Sequence, residues 1–133
     1  MIVDPSALVG ILKREPEGFA LSEALDSAQS ARMSAASYVE VGIVVDGWKN
    51  AVLSSQLDEL ILRFNIEIEP LTPDQARIAR QAYRDYGKGS GHPANLNFGD
   101  CFSYALARAK REPILYTGED FVHTDLRSAL DQR

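Results

Sequence analysis

Four acidic side chains in this sequence follow or begin predicted elements of regular structure, where reactive sites are commonly built. They are Asp4, Glu40, Asp100 and Asp120. Several carboxylates cannot share a small volume as anions, because like charges raise one another's pKa until some protonate or a metal neutralises them. No Cys or His stands at ligand spacing, and a set of oxygen ligands alone selects Mg²⁺ or Mn²⁺ over zinc. Such a site typically activates water for attack on a phosphodiester.

The first of these acids lies at a predicted strand-to-helix junction. Ile2 and Val3 are β-branched and suit a buried strand, whereas Pro5 sets φ for a first helical turn and cannot continue a strand ladder. Asp4 therefore falls at the carboxyl end of a strand. Because open parallel sheets bind ligands at the carboxyl ends of their strands, this position predicts further acids at the same edge.

The other three acids are predicted to reach that edge from later parts of the chain. Glu40 lies in the first two turns of a helix predicted over 35–48, after a weak strand at 32–34. Asp100 lies in the first turn of a helix that runs to about Lys110, and Asp120 follows a strand predicted over 113–117. We expect all four carboxylates to face one edge of the sheet.

The remaining periodicity predicts an α/β fold. Further helices are predicted over 5–13, 19–28, 50–64 and 73–86, a strand over 66–69, and a short helix from Asp125 through Leu126 and Leu130. Ser34 and Thr72 are expected helix caps, and Tyr38, Val41, Val45 and Trp48 form one apolar stripe. Strands that alternate with helices of this length imply right-handed crossovers, hence a three-layer α/β/α arrangement with a central parallel sheet.

Composition limits the protein class. A chain of 133 residues, 45% of them hydrophobic and 25% charged, fits one soluble domain spanning 1–133. No apolar run is long enough to cross a bilayer or resembles a signal peptide, so we expect a cytoplasmic protein without membrane contact.

The glycine-rich stretch 87–94 is predicted to be a mobile, irregular loop. The single cysteine, Cys101, is expected to be a small buried hydrophobic residue.

A net charge of −5 does not by itself indicate a nucleic-acid-binding protein. A nuclease would need local bases to contact phosphates. The candidates are Lys13, Arg14, Arg80, Arg84 and Lys88.

Four blocks of the sequence resemble the PIN-domain ribonucleases, and most closely the VapC toxins of bacterial VapBC toxin–antitoxin pairs. The blocks are the opening 1–8, Ser34-Ala35-Ala36 with Glu40, the loop 87–93 with 96–105, and Gly118-Glu119-Asp120-Phe121. The resemblance implies a metal-dependent endoribonuclease whose metal-binding and catalytic acids are Asp4, Glu40, Asp100 and Asp120. It also implies an RNA substrate, inhibition by a cognate VapB-type antitoxin, and a homodimer.

Polar residues beside the acids are expected to support them. The family more often has Thr where this chain has Pro5, so Ser6 is the expected polar helper near the first acid. Asn97 and Thr117 are the other expected supporting residues. Two adjacent acids compete for the fourth place, and Asp120 is favoured over Glu119 because it precedes Phe121, an expected core anchor.

Two other function classes are compatible with acids at a sheet edge. A receiver-type phosphorylation switch needs adjacent acids after the first strand and a late lysine, but Asp4 has no acidic neighbour and 114–120 contains no Lys. A catalytically inactive interaction module remains an alternative. Taken singly, Asp4 could be a helix cap, Glu40 a solvated residue and Asp100 a partner of a helix dipole. Their coincidence in one pattern favours the nuclease.

Overall fold

The computed structural model describes residues 1–131, in which four short parallel strands form one sheet. The strands are β1 (Ile2–Val3), β2 (Ala31–Ser34), β3 (Ile66–Glu69) and β4 (Ile114–Leu115), in the spatial order β3-β2-β1-β4. The first strand lies between the second and the last, with Ile2 opposite Arg32 on one side and Val3 opposite Leu115 on the other. The carboxyl ends of all four strands therefore meet at one edge.

Six helices connect and cover these strands. They are α1 (Pro5–Leu12), α2 (Gly18–Ser27), α3 (Ala35–Gly47), α4 (Ala51–Arg63), α5 (Pro73–Tyr86) and α6 (Asp100–Lys110), followed by a 3₁₀ turn at Ala129–Asp131. Val3 and Leu115 pack with apolar side chains of α1 to α4, whereas Ile2 and Ile114 pack with α5 and α6. Neighbouring strand residues point to opposite faces, so the sheet is covered on both sides. The predicted three-layer α/β/α fold with a parallel sheet is confirmed.

Helix caps fix where the helices begin at the site edge. The Asp4 side chain caps α1, Ser34 Oγ accepts from the Ala36 N–H at 3.3 Å at the start of α3, and Thr72 Oγ1 accepts from the Gln75 N–H at 3.1 Å. These side chains satisfy N–H groups that have no partner within the helix. The caps predicted at Ser34 and Thr72 are confirmed.

Two expectations about regular structure are wrong. The helix predicted from Asp125 does not form: residues 126 and 127 have no regular structure, Ser128 forms a parallel β-bridge with Ile114, and only the 3₁₀ turn at Ala129–Asp131 is helical. Side-chain bonds hold this segment instead, since the Asp125 carboxylate accepts from the Tyr104 hydroxyl and from Arg108 Nη1, each at 2.8 Å. Tyr38 is 40% exposed and does not share the buried stripe of Val41 and Val45.

The glycine-rich loop 87–94 is irregular, as predicted, but both of its ends are tied together. The Leu96 N–H donates to the Tyr86 carbonyl at 2.8 Å, and the Lys88 N–H donates to the Leu96 carbonyl at 2.9 Å. The loop therefore returns to α5 before the chain enters α6. Across residues 1–131 we find no helix that is both long enough and apolar enough to span a membrane.

Candidate active site

Asp4 is a buried carboxylate at the junction of β1 and α1. Asp4 is only 5% exposed. Its carboxylate accepts two hydrogen bonds, one from Ser103 Oγ at 2.6 Å and one from the Ser6 N–H at 3.0 Å. Burial raises the pKa of Asp4, the hydrogen bonds from Ser103 and Ser6 oppose that increase, and the charge of Asp120 adds to it. The carboxylate is therefore rigidly held but lacks a compensating positive charge.

Glu40 reaches the same edge from α3 and leaves one oxygen unsatisfied. Its Oε1 atom is buried and has no hydrogen-bond partner among the described residues. Burial, and then the charge of Asp4, raise the pKa of Glu40. A Cβ on Gly99 would overlap the Glu40 carboxyl group, so the backbone at Gly99 lies directly against it. A buried carboxylate oxygen without a donor is costly unless a proton or a cation reaches it.

Asp100 begins α6 and is held by the residue three positions before it. Its Oδ2 accepts from the Asn97 N–H at 3.0 Å, while Asn97 Oδ1 accepts from the Asp100 N–H at 2.9 Å. Burial raises the pKa of Asp100 to about 7, helped by the charges of Asp4 and Asp120 and by a hydrogen bond with Asp120, while the bond from the Asn97 backbone opposes the increase. Asn97 thus orients the acid, as a supporting residue should.

Asp120 follows β4 after a turn in which Gly118 has φ +88°, a conformation that favours glycine. The Asp120 carboxyl is exposed, yet its charge acts on both Asp4 and Asp100. The neighbouring acid, Glu119, acts on a different group. The pKa of Tyr116 is raised by burial, then by the charge of Asp131, and to a smaller extent by the charge of Glu119. The charge of Asp120, and not that of Glu119, is thus among the causes that raise the pKa values of Asp4 and Asp100.

Phe121 next to it is buried and packs on the Tyr116 ring at 5.2 Å between centroids. The expectation that Phe121 anchors this segment in the core is confirmed. Cys101 is likewise buried, as expected, and burial raises its pKa to about 11, so it is a thiol at neutral pH.

Ser6 and Thr117 connect the ends of β1 and β4. Ser6 Oγ accepts from the Thr117 N–H at 3.1 Å, and the Ser6 N–H donates to Asp4. Thr117 contributes to this connection through its backbone, and Ser6 through both its backbone and its hydroxyl. The two residues hold the strand ends together beside the first and fourth acids.

Three positions that the sequence did not single out contact the acids or their partners: Ser37, Gly99 and Ser103. Ser103 is fully buried, donates to Asp4 and lies 3.3 Å from the Ser37 hydroxyl, Oγ to Oγ. Both serines stand three residues from an acid on the same helix, Ser37 before Glu40 and Ser103 after Asp100. That spacing places them on the same helix face as the acids and could have identified them.

The four acids have the donor chemistry of a hard-metal site without a ready-made geometry. Within residues 1–131, none of the four forms a salt bridge with a base, and no three acidic, histidine or cysteine side chains are already arranged to hold an ion. Glu40 Oε1 has no hydrogen-bond partner within residues 1–131, and burial, with a smaller contribution from neighbouring acids, raises the pKa values of Asp4, Glu40 and Asp100. An oxygen-only set of this kind fits Mg²⁺ or Mn²⁺ once the side chains turn toward one ion.

Comparison with known proteins agrees with this arrangement. A family model described as "PIN domain" matches residues 1–126. Ribonuclease VapC28 of Mycobacterium tuberculosis is 55% identical over 133 residues, which cover 100% of both chains.

Two solved structures share the fold. The crystal structure of Mycobacterium tuberculosis VapC20, described as a sarcin–ricin loop cleaving toxin, gives a TM-score of 0.72 at 16% identity, covering 94% of this chain and 95% of that one. A toxin–antitoxin complex from Klebsiella pneumoniae gives a TM-score of 0.66 at 17% identity, covering 93% and 92%. With its complete sheet, its four acids and its full-length similarity to a VapC ribonuclease, the chain belongs to the PIN-domain family, among the VapC ribonucleases.

Proposed function

We propose that this protein is an Mg²⁺- or Mn²⁺-dependent endoribonuclease that acts as the toxin of a toxin–antitoxin pair. The observation that carries the proposal is the cluster of four carboxyl groups without a base, in which Glu40 Oε1 is buried and unpartnered. Membership of the VapC ribonucleases supplies the substrate class, RNA. The receiver-like and inactive-module alternatives are not favoured, since the curated relatives over the full chain are ribonucleases.

In this proposal the chain's own residues hold and orient the site. Asp4, Glu40 and Asp100 would hold the ion, and Asp120, which is exposed at the rim, would act on it from the open side. When bound, the ion supplies activated water and neutralises charge on the phosphodiester during attack. Ser103 and Ser6 hold the Asp4 carboxylate and Asn97 holds Asp100, so these two ligands would be oriented while Glu40 and Asp120 turn toward the ion.

Two protein partners belong to the same proposal. A cognate VapB-type antitoxin is supported by the Klebsiella pneumoniae neighbour, whose description is a toxin–antitoxin complex. A homodimer is supported by an apolar face on α3, where Val39, Ile43 and Val44 are 56%, 68% and 41% exposed. Exposed apolar patches of this kind commonly mark protein interfaces.

A cleavage assay tests the activity. Purified protein is incubated with total bacterial RNA in Mg²⁺, in Mn²⁺ or in chelator, beside Glu40→Gln and the control Asp58→Asn, which changes an exposed acid on α4. We expect cleavage by the wild type and Asp58→Asn with either metal, and none in chelator or with Glu40→Gln. Metal-independent cleavage, or full activity of Glu40→Gln, would reject the proposed site.

Expression in a bacterial host tests the toxin role separately. We expect the wild type to arrest growth and Glu40→Gln to relieve the arrest at equal protein level. Co-expression of the cognate antitoxin should also relieve it while the toxin persists. Harmless accumulation of soluble wild type that cleaves RNA in the test tube would show that the nuclease is right and the toxin role is wrong.

A further inference from the structure

An aromatic ridge stands beside the acidic cluster and is not explained by the protein core. Phe98 is 77% exposed, and its ring meets the Phe102 ring edge to face, with centroids 4.9 Å apart and an interplanar angle of 89°. Phe98 therefore buries little of its own surface in the fold. A large apolar side chain held out into solvent next to a reactive site suggests a ligand contact.

The ridge is mechanically tied to the acids. The residue before Phe98, Asn97, exchanges two hydrogen bonds with Asp100, and the residue after it, Gly99, lies against the Glu40 carboxyl group. The backbone on both sides of Phe98 is thus fixed by two members of the cluster. The ring is held at a constant position relative to the site, as substrate positioning requires.

On the far side of the ridge, a groove of about 280 Å³ runs between α5 and α6. Tyr83, Phe98 and Phe102 give it aromatic walls, and Arg80 is the charged residue that lines it. Arg80 is exposed and forms no salt bridge with any residue in 1–131, whereas Arg77, one turn earlier, pairs with Asp74 at 2.6 Å. The groove therefore combines aromatic surface with one uncommitted guanidinium group.

This combination matches the chemistry of a nucleotide. Bases of single-stranded RNA stack on aromatic side chains, and a guanidinium group pairs with the phosphate. Because the net charge of −5 gives no long-range attraction to phosphates, RNA binding would depend on local contacts such as stacking and this single guanidinium group.

We propose that Tyr83, Phe98, Phe102 and Arg80 form a nucleotide-binding subsite that stacks a base of single-stranded RNA and holds a phosphate beside the scissile bond. The proposal rests on the ribonuclease function proposed above and adds how the substrate is positioned. Continuity supports it, since Phe98 and Phe102 also line the adjoining groove, which contains Glu40, Asn97 and Gly99 and extends to the apolar α3 face proposed above as a dimer contact. A strand of RNA crossing the ridge would pass directly from the aromatic groove to the acids.

Binding measured in chelator tests the subsite without requiring metal or cleavage. The probe is a fluorescein-labelled, single-stranded RNA ten-mer of mixed sequence, followed by fluorescence anisotropy. We expect Phe98→Ala to weaken binding roughly 5- to 150-fold, the range for loss of one stacked base, and Phe98→Trp to retain it. Arg80→Ala should weaken binding and reduce the salt dependence by about 0.7 in log–log slope, the share of one phosphate contact with a single strand.

Matched controls exist for both residue types. Phe19→Ala removes a ring that is 79% exposed on α2, in a groove that contains none of the four acids. Arg77→Ala removes the paired arginine on the same helix as Arg80. Both controls should bind RNA as the wild type does. Because Phe98 is largely exposed, Phe98→Ala should fold normally, which circular dichroism and melting temperature verify.

Sedimentation of the same variants separates RNA binding from contact between copies of the chain. Unchanged affinity of Phe98→Ala, or a wild type that does not bind the probe, overturns the proposal. Phe98→Ala could lower both the molar mass measured by sedimentation and the affinity for the RNA probe. In that case the subsite stands only if Tyr83→Ala and Arg80→Ala weaken RNA binding without changing the molar mass. If the wild type binds RNA without cleaving it and Phe98→Ala loses that binding, the subsite stands and the proposed nuclease function is wrong.

Discussion

Ser103 and Asp4 are 99 positions apart in the sequence and are joined by a buried hydrogen bond of 2.6 Å from the serine hydroxyl to the carboxylate. The bond connects the middle of α6 to the end of β1, the two elements that carry Asp100 and Asp4. It ties the helix that begins with Asp100 to the carboxylate of Asp4.

Ser103→Ala should reduce RNA cleavage roughly 10- to 100-fold, the usual effect of losing a partner that orients a metal ligand. The metal affinity should fall with it, because Asp4 loses its fixed orientation. Titration of Mn²⁺ in the cleavage assay and by calorimetry measures both. The control is Ser54→Ala, which removes an exposed hydroxyl that donates to Asp46 at 2.8 Å. Equal activity of the two variants would show that Ser103 does not orient the site.

Gly99→Ala should damage the site through shape alone. Its new methyl group would overlap the Glu40 carboxyl, so Glu40 or the start of α6 must shift. We expect a large loss of cleavage with little change in melting temperature. Gly42→Ala is the matched control, since a Cβ there meets nothing within 4 Å and alanine stabilises a helix by about 1 kcal/mol relative to glycine. Normal cleavage by Gly99→Ala would show that the contact is not needed.

Asp4→Asn should abolish cleavage and leave the fold at least as stable as the wild type in chelator at pH 7.5. The neutral amide removes repulsion within the cluster at nearly constant volume. Its oxygen can accept from the Ser6 N–H, and its NH₂ group can donate to Ser103 Oγ, whose own proton can turn to Ser37. Thermal unfolding of both proteins checks this. A variant that melts well below the wild type would mean that the Asp4 charge is structurally required.

The metal-free protein should become less stable as pH rises from about 4 to about 7. The pKa of Asp100 is raised to about 7 from 3.8, and those of Asp4 and Glu40 are raised as well, so the folded state keeps protons that the unfolded state has released. Unfolding in chelator at pH 5, 6, 7 and 8 measures the slope. Asp100→Asn should reduce the dependence of stability on pH. Mg²⁺ should stabilise the wild type most at the higher pH, where metal binding does not need to displace a proton. A melting temperature that rises steadily from pH 5 to pH 8 in chelator would contradict this assignment.

Glu119→Gln and Asp120→Asn separate the two adjacent acids after β4. The charge of Asp120 contributes to the raised pKa values of Asp4 and Asp100, so Asp120→Asn should weaken cleavage and raise the Mn²⁺ concentration needed for half-maximal rate. Being exposed, Asp120 should matter less than Asp4 or Asp100. Glu119→Gln should behave as the wild type. Loss of cleavage in Glu119→Gln with normal cleavage by Asp120→Asn would identify Glu119, not Asp120, as the fourth acid.

Local chemistry was sufficient to predict the elements that position the acids. Apolar spacing, the caps at Ser34 and Thr72, and Pro5 after Asp4 are properties of short segments, and the structure has the helices and strands they predict within a few residues. The tail was mispredicted because Leu126 and Leu130 have helical spacing, whereas the segment is held by bonds from Tyr104 and Arg108 to Asp125. Such long-range bonds leave no periodic trace in the sequence.

The same limit applies to the candidate site. Asp4 and Asp120 could be placed from predicted strand ends, and Glu40 and Asp100 from the first turns of predicted helices, because parallel strands bring their carboxyl ends together. The spacing of Ser103 from Asp100 indicates only a shared helix face, and nothing local indicates Gly99, since Ser103 contacts Asp4 and Gly99 contacts Glu40 from distant parts of the chain. Their interactions require knowledge of how α6 packs against β1 and α3.

The strand order has a consequence for how the protein is made. On one of its two sides β1 pairs with β4, the last strand in the sequence. Val3 can therefore pair with Leu115, and Asp4 can lie near Asp120, only after β4 and the residues that follow it have been synthesised. A chain still growing on a ribosome, without its last strand, has neither a finished sheet nor a finished acidic cluster. Synthesis from the amino end thus delays assembly of the proposed nuclease site until β4 and Asp120 have been made.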